Sequence, residues 1–122
     1  MHPAISLMAR VLMSAIFLNA GYGNISAYAG TQAYMQQHGL PGVLLPAVIA
    51  LEVVGGLAVV LGIGARYAGF ALAIFCLAAA TIFHNDFNDQ EQMTNFMKNL
   101  AMAGGFLLLF ANGSGRYAVV PD

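Results

Sequence analysis

A single carboxylate, Glu52, stands near the middle of the run PGVLLPAVIALEVVGGLAVVLG, from Pro41 to Gly62. At about 1.5 Å of rise per residue the acid lies roughly 15 Å from either end, close to the midplane of a hydrocarbon layer about 30 Å thick. Insertion scales put an acidic side chain at that depth at a cost of about 2.5 to 3.5 kcal/mol, so Glu52 is expected to be protonated, paired with a cation, or turned toward a watery cavity. Arg10 poses the same problem in the first apolar run, ISLMARVLMSAIFLNAGY. Ser6, Arg10 and Ser14 recur at four-residue steps, which stacks them on one helix face expected to turn into the protein. Arg10 is about 9 Å in from its end of the run, and the reach of its side chain spans the remaining difference in depth. The spacing therefore predicts a contact between Arg10 and Glu52, each otherwise a lone charge in low dielectric.

His84, Lys98 and Asn99 are expected to gather in the opposite, outer half. With Glu52 they describe a column of ionisable and amide groups running from the outer surface to the midplane. Such a column can relay protons or hold the head of a small polar-ended molecule such as a quinone, and it can equally serve to pin helix register. A haem held by two histidines is not expected, because only His84 of the three histidines belongs to an apolar run. No nucleophile elbow, phosphate loop or zinc spacing occurs, and no metal site is expected. The acidic link NDFNDQEQMTN lacks the regular ligand spacing and glycine of a calcium loop and reads as a solvated turn. One cysteine, Cys76, excludes an internal disulfide and a CxxC redox pair.

The elements that must position these residues are set by composition. Of the 122 residues, 60% are hydrophobic and 7% charged, far from the roughly one-quarter charged of soluble domains. The expected fold is an all-α integral membrane bundle of four transmembrane helices forming one domain, with spans at about 4–22, 42–62, 67–84 and 94–111. A net charge of −1 disfavours nucleic acid and leaves the lipid bilayer as the partner. Ala27-Tyr28-Ala29 resembles a signal cleavage site, but the arginine inside the preceding apolar run argues for a retained span.

Between the first two spans a short extramembrane helix, TQAYMQQH, is expected to be capped by Thr31 and stopped by Gly39, with Tyr22, Tyr28, Tyr34 and Met35 at the membrane interface. Pro46 is expected to kink the second span ahead of Glu52, and Gly55 and Gly56 to offer a bare patch for another helix. Gly69, Ala73, Cys76, Ala80 and His84 form a small-residue stripe, expected to be a packing groove. Four spans put both termini on one side, and Arg66 and Arg116 assign that side to the cytoplasm.

The ordered set of motifs resembles the DoxX-like family of small four-helix membrane proteins. It comprises Arg10 in ARVLMSAIFLNAG, the turn GLPG, LEVVGGLAVVLGIGARYAG with Glu52 and Arg66, His84 at the end of the third span, and FMKNLAMAGGFLLLF with Lys98 and Asn99. The resemblance implies a multi-pass bundle in the bacterial inner membrane with Arg10, Glu52, His84, Lys98 and Asn99 as its polar centre. It also implies association with redox-complex subunits, since the family takes its name from a thiosulfate-oxidising, quinone-reducing enzyme. With no cysteine pair or haem pair, the chain would join such an oxidoreductase as an accessory subunit without an electron carrier of its own, and any electron transfer would need a bound quinone or a partner protein. Two alternatives stay open on the residues alone: a proton-coupled transporter or channel component built on Glu52, and a purely structural scaffold. A homo-oligomer is compatible with the glycine-rich spans.

Overall fold

The computed structural model describes residues 2–122, and five helices account for most of them. Helix α1 (Pro3–Ser26) starts with proline in its first turn, where the missing N–H is not needed, and with His2 accepting a hydrogen bond from the Ala4 amide at 3.2 Å. Helix α2 (Tyr28–Gln37) follows after one residue. Helix α3 (Gly42–Leu61), helix α4 (Ala65–Phe83) and helix α5 (Gln90–Asn112) complete the chain, which ends in an irregular tail. Among the described residues α1, α3 and α4 are long and apolar enough to cross a bilayer, with mean hydropathies of 1.6, 2.5 and 1.7. Helix α5 does not reach that apolarity, because polar residues run from Gln90 through Lys98 and Asn99.

Packing is most extensive between α4 and α5, α3 sits between α1 and α4, and α1 meets α5 only sparsely. The small stripe of α4 explains the first of these. Gly69, Ala73, Cys76 and Ala80 are all buried, and a side chain at Gly69 would run into Leu109 at 2.9 Å. Phe17 and Phe106 meet edge to face at 5.5 Å, with Val59, Leu72 and Cys76 around them as the core. Gly55 and Gly56 separate two contacts: Gly55 lies against Leu72 of α4, Gly56 against Leu18 of α1.

Three local expectations are corrected. Thr31 does not cap α2, which begins at Tyr28; the Thr31 hydroxyl instead donates to the carbonyl of Ala27 at 3.0 Å, inside the first turn. Pro46 produces no interior break, because α3 opens with a 3-10 turn at Gly42–Leu44 and Pro46 falls in the first α-helical turn after it. The irregularity lies further on, in a π-helical turn at Leu51–Gly55 that contains Glu52. Asp89, read as part of a solvated link, caps α5 by accepting from the Glu91 amide at 3.0 Å. Gly39 does end the α2 region, with φ at +82°.

Candidate intramembrane binding site

The face carrying Ser6, Arg10 and Ser14 is buried, and Arg10 is only 2% exposed. Its guanidinium does not meet Glu52. One amino group donates to the carbonyls of Val59 and Val60 at 3.0 and 3.1 Å, and the other to the carbonyl of Tyr117 in the tail. The expected Arg10–Glu52 contact is thus corrected, and the reason is the end of α3. That helix stops at Gly62 in the left-handed region, leaving the Val59 and Val60 carbonyls without helical amide partners at the negative end of its dipole. A cation satisfies both at once. Arg66 repeats the arrangement at the end of α5, donating from Nε to the Phe110 carbonyl at 2.7 Å and lying over the Phe110 ring. The tail completes this end of the molecule: Val119 and Val120 amides donate to the carbonyls of Leu61 and Gly62, Ser6 donates to the Ser114 carbonyl, and the Asp122 carboxylate accepts from the Ser114 amide at 2.9 Å.

Glu52 has another partner. Asn24 Nδ2 donates to its Oε1 at 2.7 Å. The π turn sets the acid against α1 where Gly21 leaves room, since a Cβ at Gly21 would sit 2.5 Å from Val53 and 3.5 Å from Glu52. Glu52 is 5% exposed, and that small exposure gives onto a cleft of about 570 Å³ at the α2 end of the bundle. Asn24, Thr31, His84, Asn95, Lys98 and Asn99 supply the other polar groups of its wall. Of the residues singled out from the sequence, the cleft brings together Glu52, His84, Lys98 and Asn99; Arg10 lies at the other end of the molecule. Asn99 donates within its own helix to the Asn95 carbonyl at 3.0 Å. Lys98 is exposed at the rim.

Asn24 is the residue that sequence reasoning missed, because it fell in a stretch read as extramembrane. The signal was present: Ser6, Arg10, Ser14, Phe17, Gly21 and Asn24 follow at steps of four, four, three, four and three, one helical face continuing past the expected end of the span. The cleft's apolar wall includes Phe17, Tyr34, Met35 and Phe75, and α2 lies over it as a roof. Tyr34 stacks on Phe83 at 5.3 Å with His38 at 5.0 Å from the same ring, which fastens α2 to the end of α4 beside His84. Gln32 ties the roof to α3 through the Gly42 carbonyl at 3.1 Å.

Bilayer-length apolar helices around a buried carboxylate, with two arginines capping helix ends, define a small helical membrane protein with a polar cleft inside it. The DoxX family model matches residues 5–85, most of the chain, and the chain belongs to that family. It is 47% identical over 113 residues to the inner membrane protein YqjF of Escherichia coli, covering 93% of this chain and 87% of that protein. It is also 33% identical over 124 residues to the inner membrane protein YphA of the same organism, covering 96% and 89%. No solved structure matches it.

Proposed function

We propose that this chain is a multi-pass inner-membrane protein whose cleft binds the head of a small membrane-soluble molecule of the quinone class, and that it serves a redox-linked membrane complex as an accessory subunit. In this reading α5 is the fourth span, its polar first turns lying at the outer interface and its packing on α4 covering the remainder. Both termini face the cytoplasm. The observation that carries the proposal is Glu52: a buried carboxyl, held through one oxygen by Asn24 and walled into a cleft with an ammonium and further amides, is an arrangement that recognises a head with both donors and acceptors. A mostly apolar wall with a few convergent polar groups suits a quinone ring better than a hydrated ion.

The test is binding of a short-chain quinone to the purified protein in nanodiscs. Glu52→Gln keeps an acceptor for Asn24 but removes the ionisable group, and affinity is expected to fall about tenfold or more, as loss of a charged hydrogen-bond partner would give. Unchanged affinity with only a lowered melting temperature would leave the residue a structural pin and reject the proposal.

A further inference from the structure

Two depressions share a wall. The polar cleft is bounded on α1 by Ile16 and Phe17 and on α5 by Met102; a second, shallower groove of about 390 Å³ begins at the same Ile16 and Met102. It continues along the α1–α5 seam past Met13 and Leu12 on one side and Ala101 and Gly105 on the other. Helices α1 and α5 run in opposite directions, so from Ile16 to Leu12 and from Met102 to Gly105 the groove moves the same way, away from the roof and toward the bundle's centre. From Asn24 to Leu12 the combined track covers about 18 Å of helix rise. Its chemistry changes sharply along that length. Amides, a carboxyl, an imidazole and an ammonium line the first part, and the second is wholly apolar.

Helices α1 and α5 are in sparser contact along this seam than α1 with α3 or α4 with α5. Gly105 lets the end of Met13 rest against the bare α5 backbone, where a Cβ would sit only 3.0 Å from it, so the floor of the groove is a flexible thioether. Leu12 and Ile16 are 69% and 51% exposed on the lipid side.

From this continuity we infer that the α1–α5 seam is a lateral portal and tail groove, through which a membrane-resident amphiphile enters from the bilayer with its head in the Glu52 cleft and its single hydrocarbon chain laid between Ile16, Met102, Met13 and Gly105. The inference rests on the proposed head site and adds the class of ligand: a compact polar head on one apolar chain, delivered from lipid and never crossing the water above α2. The roof over the cleft then has no need to open for loading, consistent with its fastening to α4 by Tyr34 and His38. A chain that moves from lipid into the seam leaves no water behind and gains no hydrophobic transfer energy, so its affinity comes from packing fit alone, and the shape at Gly105 decides it.

The experiment compares two probes, one quinone head bearing a decyl chain and the same head bearing a methyl group, on the wild-type protein and on Ala101→Phe and Gly105→Leu in identical nanodiscs. Both substitutions fill the groove at exposed or flexible positions and leave the head site untouched. The expected result is loss of decyl-probe affinity by about tenfold with methyl-probe affinity within about twofold of wild type. Equal weakening of both probes, or no weakening of either, overturns the tail groove while leaving the head site standing. A wild-type dimer in native mass spectrometry that both substitutions dissociate, with probe binding unchanged, also overturns it by giving the seam to a second copy. If the methyl probe fails to bind wild-type protein, it is the head-site proposal that falls.

Discussion

At the scale of single residues the molecule keeps its two buried charges apart and gives each a different kind of partner. Arg10 answers to backbone carbonyls at a helix end, Glu52 to one side-chain amide on a neighbouring helix. Arg10→Met should therefore orphan the carbonyls of Val59, Val60 and Tyr117 together. At about 1 to 3 kcal/mol for a buried group left without its partner, the melting temperature in mild detergent should drop by several degrees, with little change in binding at the distant cleft. Arg10→Lys should recover only part of this, since one ammonium cannot reproduce the guanidinium fork. Asn24→Leu should do the reverse. It removes the only side-chain donor on Glu52 among the described residues and is expected to cost the quinone probe several-fold in affinity while the Arg10 end stays intact. A thermal melt and a binding titration on both variants separate these outcomes, and a common loss in both assays would argue that the two charges act as one network.

Elements were legible where length and apolarity alone decide them, and illegible where one helix must be aimed at another. The apolar runs around Arg10, Glu52 and Cys76 mark bilayer-length helices without help from tertiary structure, and the small stripe from Gly69 to Ala80 announces a packed face. The π turn at Glu52 has no distinct sequence signature, since LEVVG continues the apolar run in helical backbone; in the fold it lies between Gly21 of α1 and Leu72 of α4. That unseen turn sets Glu52 against Asn24, and the unforeseen fold-back of the tail gives Arg10 its carbonyls. Helix α2 is likewise more than an interfacial segment, because Tyr34, His38 and Phe83 join it to α4. His84, just beyond α4, has its protonated form disfavoured first by burial and then by His38, so its pKa lies below the usual 6.5. The unfastened state then binds more protons than the fastened one between that lowered value and 6.5, and docking weakens as pH falls through this window. Once the pH dependence of intrinsic exchange is divided out, the protection of α2 amides should fall near pH 5.5 relative to pH 7.5, and His84→Gln should remove most of the difference; protection that is flat with pH would sever the imidazole from the roof.

For the molecule as a whole, charge placement is the feature that bears on how it sits in a membrane. Arg10, Arg66 and the tail that carries Arg116 all belong to the end where α3 and α5 finish, whereas Asp86, Asp89 and Glu91 belong to the opposite end. Capping the ends of α3 and α5 with arginine places the positive charges at the negative poles of those helices, so the side chains that hold the fold together also bias its orientation. The tail strengthens that coupling. At Gly62, with φ at +75°, a Cβ would overlap Ala118 and crowd Arg10, so Gly62→Ala should strain the backbone, release the tail and expose the guanidinium in one step. The proposed orientation has the arginine-bearing end in the cytoplasm, and Cys76 makes it measurable because the native thiol is buried and should stay silent. In intact cells a membrane-impermeant maleimide should label Asn88→Cys and spare Val119→Cys, with the pattern reversing in inverted vesicles. Labelling of Asn88→Cys only in inverted vesicles would place the acidic link in the cytoplasm; the cleft beneath α2 would then open toward the cytoplasmic leaflet, and any ligand drawn from the bilayer would have to be one resident there.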